Sequence, residues 1–155
     1  MTGPPTPAAA DESIDWRACV RGALLGLAVI VPTTIVRVVL DRELDDFDDS
    51  GWVYPLFLLI LAGYFAAGWV ASRDRPATPL IHGTIAGVGV LIAWIPIRVI
   101  IWAIREDDRG LFSGREAALR PGQIFGHLMI AATLGMLGAL VGQRLGQRGQ
   151  ASDLS

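Results

Sequence analysis

Apolar residues in this chain run together instead of alternating with charged ones. Four stretches, 22–40, 52–72, 80–104 and 122–143, hold no acidic residue and only two basic ones, Arg37 and Arg98. Each runs to about 20 residues, which at roughly 1.5 Å rise per residue crosses a hydrocarbon core about 30 Å thick. The pattern predicts transmembrane helices over about 18–40, 52–72, 80–104 and 122–145, and hence an all-α polytopic membrane protein.

The connecting segments carry the charge. Residues 1–15 are rich in Pro, Ala and Thr and hold Asp11, Glu12 and Asp15 without a basic residue. They form a short disordered tail, not the positive start of a signal peptide. Arg17 and Arg21 precede the first run, which reads as a retained signal anchor. The acidic segment Asp41–Gly51 leads to a second helix opened by Trp52 and Tyr54, an aromatic pair suited to a membrane interface. The turn Arg73–Pro79 is short enough to force an antiparallel hairpin. In the longer segment 105–121, Ser113-Gly-Arg-Glu116 has capping-box spacing and predicts a short interfacial helix closed by Pro121. The transmembrane domain thus spans 16–149 as two repeated helical hairpins, followed by a tail over 150–155.

An even number of spans puts both termini on one face. That face carries Arg17, Arg21, Arg73, Arg75, Arg144 and Arg148, against Arg42, Arg105, Arg109, Arg115 and Arg120 on the other. The margin is one residue, and the 41–49 loop offsets its single arginine with six acids. Both termini are expected in the cytoplasm of a bacterial plasma membrane.

Composition agrees with a membrane location and removes several functions. The chain is 52% hydrophobic and 18% charged, which excludes a soluble globular fold and a disordered chain. A formal charge of −2 leaves no basic excess for nucleic acid. The one cysteine, Cys19, cannot form an internal disulfide and reads as an inert thiol near the membrane surface. Lysine and asparagine are absent, as in chains from GC-rich bacterial genomes.

Two halves of the chain resemble each other. A shift of 61 lays Gly22 on Gly83, Gly26 on Gly87 and Arg37 on Arg98. A shift of 71 lays Ala67 on Gly138, Ala71 on Gly142 and Arg73 on Arg144. The chain then reads as a duplicated hairpin whose copies are related by an axis along the membrane normal. Small residues recur at four-residue spacing on every helix: Gly22 and Gly26; Gly63, Ala67 and Ala71; Gly83 and Gly87; Gly138, Gly142 and Gly146. In lipid such ladders let backbones approach closely, so Gly22, Gly26, Gly63, Ala67, Gly83, Gly87, Gly135, Gly138 and Gly142 are expected to pack helices. The fourth helix has a second ladder, Ala131, Gly135 and Ala139, which makes it the leading surface for a second copy.

The spans lack the membrane carboxylate on which proton-coupled exporters of organic cations rely. Nor do they carry a Ser/His/Asp or Cys/His constellation, so an enzyme is the weaker class. Arg37, Arg98 and His127 fall at similar depths and could form one polar layer that binds an anion or a lipid phosphate through planar guanidinium forks. The plainer reading is that each arginine reaches headgroups or pairs with Asp41, Glu43 or Glu106. His82 falls at the opposite face, so the two histidines cannot share a metal; no metal or cofactor is expected.

Arg21-Gly-Ala-Leu-Leu-Gly26, Ala66-Ala-Gly68 and His82-Gly-Thr-Ile-Ala-Gly87 resemble the uncharacterised small four-helix membrane proteins of Gram-positive, actinobacterial-type bacteria. The resemblance covers helices one to three and implies a fold and a location without a reaction. The reading that results is a structural or accessory component among membrane lipids, packing with itself or a membrane partner. The alternative is an oligomeric transporter or channel for a small anionic or lipidic solute.

Overall fold

A bilayer core offers no water to free N–H and C=O groups, so an apolar run placed there must satisfy its own backbone, and a helix does so. The computed structural model describes residues 14–44, 46–73, 78–104 and 119–152, with side chains as far as 146. They form α1 (Trp16–Glu43), α2 (Val53–Arg73), α3 (Pro79–Ile104) and α4 (Pro121–Ser152), with no strand among the described residues. All four helices are long and apolar enough to cross a membrane. The fold is the all-α four-helix bundle that the pattern predicts.

The helices outrun the apolar stretches for local reasons. α1 starts at Trp16 because the Asp15 carboxylate accepts the N–H groups of Arg17 at 3.0 Å and Ala18 at 3.2 Å. Those are two of the four donors that a helix start leaves open. Asp15 therefore belongs to the bundle and not to a loose tail. α1 continues to Glu43, and the Leu44 N–H closes its last turn on Leu40 O at 3.0 Å. α4 runs past residue 145 to Ser152. Its 32 residues measure about 48 Å at 1.5 Å each, beyond what the hydrocarbon core requires. The helix expected after Ser113 lies outside the described residues.

Successive helices run antiparallel, Gly22 and Gly26 meeting Ala67 and Gly63, and Gly83 and Gly87 meeting Gly135 and Ala131. α1 and α3 run from the face carrying the termini to the loop face, and α2 and α4 return. α2 and α3 touch each other and both remaining helices, whereas α1 and α4 do not touch among the described residues.

Contacts of two kinds divide the bundle along its axis. In the terminal half the helices meet backbone to backbone. A Cβ on Gly22 would strike the Ala67 carbonyl, one on Gly83 or Gly68 the Gly135 carbonyl, and one on Gly87 that of Ala131. On α4, a Cβ at Gly135 would strike Gly83 O, one at Gly138 Phe65 O, and one at Gly142 would lie 2.7 Å from Ser72 Oγ. Gly26 and Gly63 leave room for Val90 and Ile30, each 2.7 Å from where a Cβ would stand. Ser72, fully buried, adds a polar tie by donating its hydroxyl to Ala139 O at 3.1 Å. Gly51, Gly122 and Gly126, in the loop half, have nothing within 4 Å of such a Cβ. Large side chains do the filling there, including Leu56 and, from the connecting segments, Phe47 and Leu119, all buried.

These contacts correct two expectations. Both ladders of α4 are used inside the bundle, Ala131, Gly135 and Ala139 against α3 and Gly138 and Gly142 against α2, so neither is left over for a second copy. The hairpin duplication keeps its shift of 61 between α1 and α3, but the shift between α2 and α4 is 68 and not 71. Gly22 meets Ala67 and Ala71 as Gly83 meets Gly135 and Ala139, and Gly26 meets Gly63 as Gly87 meets Ala131. An exact two-fold would also oblige α1 and α4 to touch as α2 and α3 do, and they do not.

Gly135→Ala must push its methyl into the Gly83 carbonyl, and overpacking of this kind costs about 1–3 kcal/mol. Thermal unfolding in detergent, followed by circular dichroism, is expected to show a clear loss for Gly135→Ala. Gly126→Ala, facing open space, should be neutral or stabilising by up to about 1 kcal/mol. Equal midpoints for the two variants would refute the division of the bundle drawn above.

Candidate functional site: a cavity at the loop face

Arg37, Arg98 and His127 each lie six residues inside the loop-face end of their helices, at Glu43, Ile104 and Pro121. At 1.5 Å per residue that is a common depth of about 9 Å. The three line one cavity of about 30 Å³, together with Thr34, Ile60, Trp94 and Gln123, and the cavity is deepest at Ile30 and Tyr64. The residues expected in one polar layer thus line one cavity, whose wall is drawn from all four helices. Among the described residues no carboxylate lines it.

Trp94 holds the layer together. Its ring stacks on His127 with centroids 5.9 Å apart and planes 18° apart, and the Arg98 guanidinium lies 5.4 Å from its centre. Its indole N–H donates to Thr34 Oγ1 at 3.4 Å, tying α3 to α1, while Thr34 donates to Ile30 O at 2.8 Å. His127 Nδ1 lies 2.7 Å from Gln123 O. A carbonyl only accepts, so Nδ1 carries the proton and Nε2 is the ring's remaining polar atom.

Arg37 is exposed and lies over the Phe47 ring, 5.8 Å from its centre. Phe47 is buried in a segment otherwise made of acids, because the Ser50 N–H and hydroxyl both bond its carbonyl, at 3.0 and 2.6 Å, in a turn that folds the ring inward. Among the described residues Arg37 makes this ring contact and no ion pair with Asp41 or Glu43. Glu106 lies outside the described residues.

Tyr64 is the deepest polar group of the cavity. It stands eleven residues into α2 and is 1% exposed. Its hydroxyl has no hydrogen-bond partner among the described residues, yet no unpartnered side-chain oxygen is sealed from solvent-sized space. What little surface Tyr64 keeps is thus its hydroxyl, facing the cavity.

His82 is at the other end of the bundle, twelve residues before Trp94 on α3. It is 1% exposed and fully engaged: Nε2 accepts the Asp15 N–H at 2.9 Å, and Nδ1 donates to Thr78 O at 2.8 Å with Thr78 Oγ1 at 3.1 Å. Cys19, buried, points its thiol at His82 O at 3.8 Å. The structure makes His82 a clasp between the starts of α1 and α3.

Sequence reasoning reached Arg37, Arg98 and His127 but not Tyr64, Trp94, Thr34 or Phe47. A signal for Tyr64 was present: the other belt aromatics, Trp16, Trp52 and Tyr54, are exposed at helix ends, whereas a tyrosine at mid-span places a hydroxyl where lipid offers no partner. Phe47 had none, since a lone phenylalanine among acids reads as loop.

Fold and site together define a multi-pass, four-helix type of membrane protein with a blind polar cavity at one face. No family model, curated protein or solved structure matches the chain.

Removing the clasp at the terminal end should loosen the start of α1. His82→Ala leaves the half-buried Asp15 N–H without this acceptor, at a cost of up to about 1 kcal/mol, below the full penalty of a buried donor. Amide exchange at Asp15, Arg17 and Ala18 is expected to quicken several-fold while the centre of α4 is unaffected. Unchanged exchange at these three amides would show that the clasp holds nothing.

Proposed function

We propose that the chain is a non-enzymatic structural or accessory component of a bacterial plasma membrane, with both termini cytoplasmic, that packs with itself or a membrane partner and does not conduct. One observation carries this reading: the cavity ends at Ile30 and Tyr64, and beyond them glycines of one helix rest on carbonyls of the next. A solute at Tyr64 would have to part those contacts to go further. The bundle also turns large apolar side chains outward, among them Leu24 and Leu25 on α1, Phe57 and Leu58 on α2, and Phe125 and Met129 on α4. They suit lipid tails or the helix of a partner equally. The bacterial location rests on the resemblance to small actinobacterial-type membrane proteins and on the absence of lysine and asparagine.

A second reading has its own support. Arg37 and Arg98, matched in the repeat, line the same cavity, as an oligomeric transporter or channel for a small anionic or lipidic solute would need. Proteoliposomes separate the two. An accessory component is expected to leave anion efflux at the level of protein-free liposomes, and to retain a second copy or a membrane protein on purification in mild detergent, identified by mass spectrometry. Efflux that the Arg37→Ala, Arg98→Ala double variant abolishes would replace this reading by transport.

A further inference from the structure

We infer that the loop-face cavity binds an oxyanionic group that enters with two oxygens, the chemistry of a phosphate carried by a lipid headgroup or free in solution. The inference goes beyond the accessory role and does not depend on it.

Size sets the first limit. A cavity needs roughly 10–15 Å³ to hold one water, so about 30 Å³ admits two oxygen-sized atoms. A whole solute does not fit, but the two unesterified oxygens of a phosphodiester do, with the remainder of the molecule at the mouth. Charge sets the second. Two guanidinium groups and a histidine line the cavity, and among the described residues no carboxylate joins them. In the low dielectric of a membrane that potential favours an anion.

Hydrogen-bond direction sets the third. Tyr64, 1% exposed and lining the deep end of the cavity, has a hydroxyl without a hydrogen-bond partner among the described residues, so it can donate to an oxygen there. Among the described residues Arg37 rests on a ring and not on an acid, so its fork can turn to a pair of oxygens without breaking an ion pair with any of them. His127 has Nδ1 committed to Gln123 O, which leaves Nε2 to face a ligand. Arg98 keeps its contact with Trp94 and supplies field at the same depth. That depth, about 9 Å below the loop-face helix ends, lies within reach of headgroups for side chains as long as arginine.

The test uses the full chain, freed of lipid in a non-ionic detergent. It is titrated with phosphatidylglycerol in mixed micelles, with diacylglycerol as the control that lacks phosphate, and separately with inorganic phosphate. Binding is read from the thermal midpoint and from native mass spectrometry. Phosphatidylglycerol is expected to raise the midpoint saturably and diacylglycerol to leave it unchanged. Tyr64→Phe removes only a hydroxyl and should keep the ligand-free midpoint near that of the wild type; it and Arg37→Gln should each weaken binding about tenfold. A response to inorganic phosphate with the same sensitivity to both variants assigns the site to the free ion, and a response to phosphatidylglycerol alone assigns it to the headgroup. The inference is overturned by no response to either phosphate compound, by an equal response to diacylglycerol, or by binding that both variants leave intact. Its failure leaves the liposome and co-purification results, and so the accessory reading, untouched.

Discussion

Gly135 is where three helices come within backbone contact. A Cβ there would strike Gly83 O and lie 3.3 Å from Gly87 Cα, while Gly68 of α2 lies against the Gly135 carbonyl from the other side. In lipid the burial of apolar area does not bring helices together, because tails are as apolar as leucine; close packing supplies the attraction instead. The bundle is therefore held where side chains are smallest, and those positions all fall in the terminal half. Toward the loop face larger residues, Ile60, Trp94 and Phe47, take the place of the glycine and alanine of the terminal half. The cavity follows from that change in residue size along the axis.

The two ends consequently carry different polar chemistry. At the tight end a buried polar group finds a partner in the neighbouring backbone: Ser72 on Ala139 O, and His82 between the Asp15 N–H and Thr78 O. Each leaves no capacity for a ligand. At the open end the polar groups are held by aromatic faces, Arg98 and His127 on Trp94 and Arg37 on Phe47. A ring positions a cation without consuming its hydrogen-bond donors. Arg37 on its ring thus keeps its donors at the loop face, whereas Ser72 and His82 spend theirs at the terminal face.

The duplicated hairpin shows how far a repeat in sequence constrains a repeat in space. Aligning Arg73 with Arg144 gave a shift of 71, but both arginine side chains are exposed and mark no contact between the helices of one hairpin. The small residues that face α1 and α3 fix it at 68, a difference of nearly one helical turn. Gly138 and Gly142 face α2, which sets its own Gly68 against Gly135.

The sequence by itself determined the number of helices, their boundaries to within a few residues except where α4 runs on to Ser152, the ladders of small residues and the shared depth of Arg37, Arg98 and His127. All of these are properties of one helix at a time, set by hydropathy and by 1.5 Å of rise per residue. Only the tertiary structure decided which face of each helix turns inward, and with it the roles of Tyr64, Trp94 and Phe47. The reason is physical. In water an amphipathic stripe marks the buried face of a helix, but in lipid the outward face is as apolar as the inward one, so the pattern along the chain carries no such mark. Leu24 and Ile30 read alike in the sequence, and only packing made one 60% exposed and the other 1%.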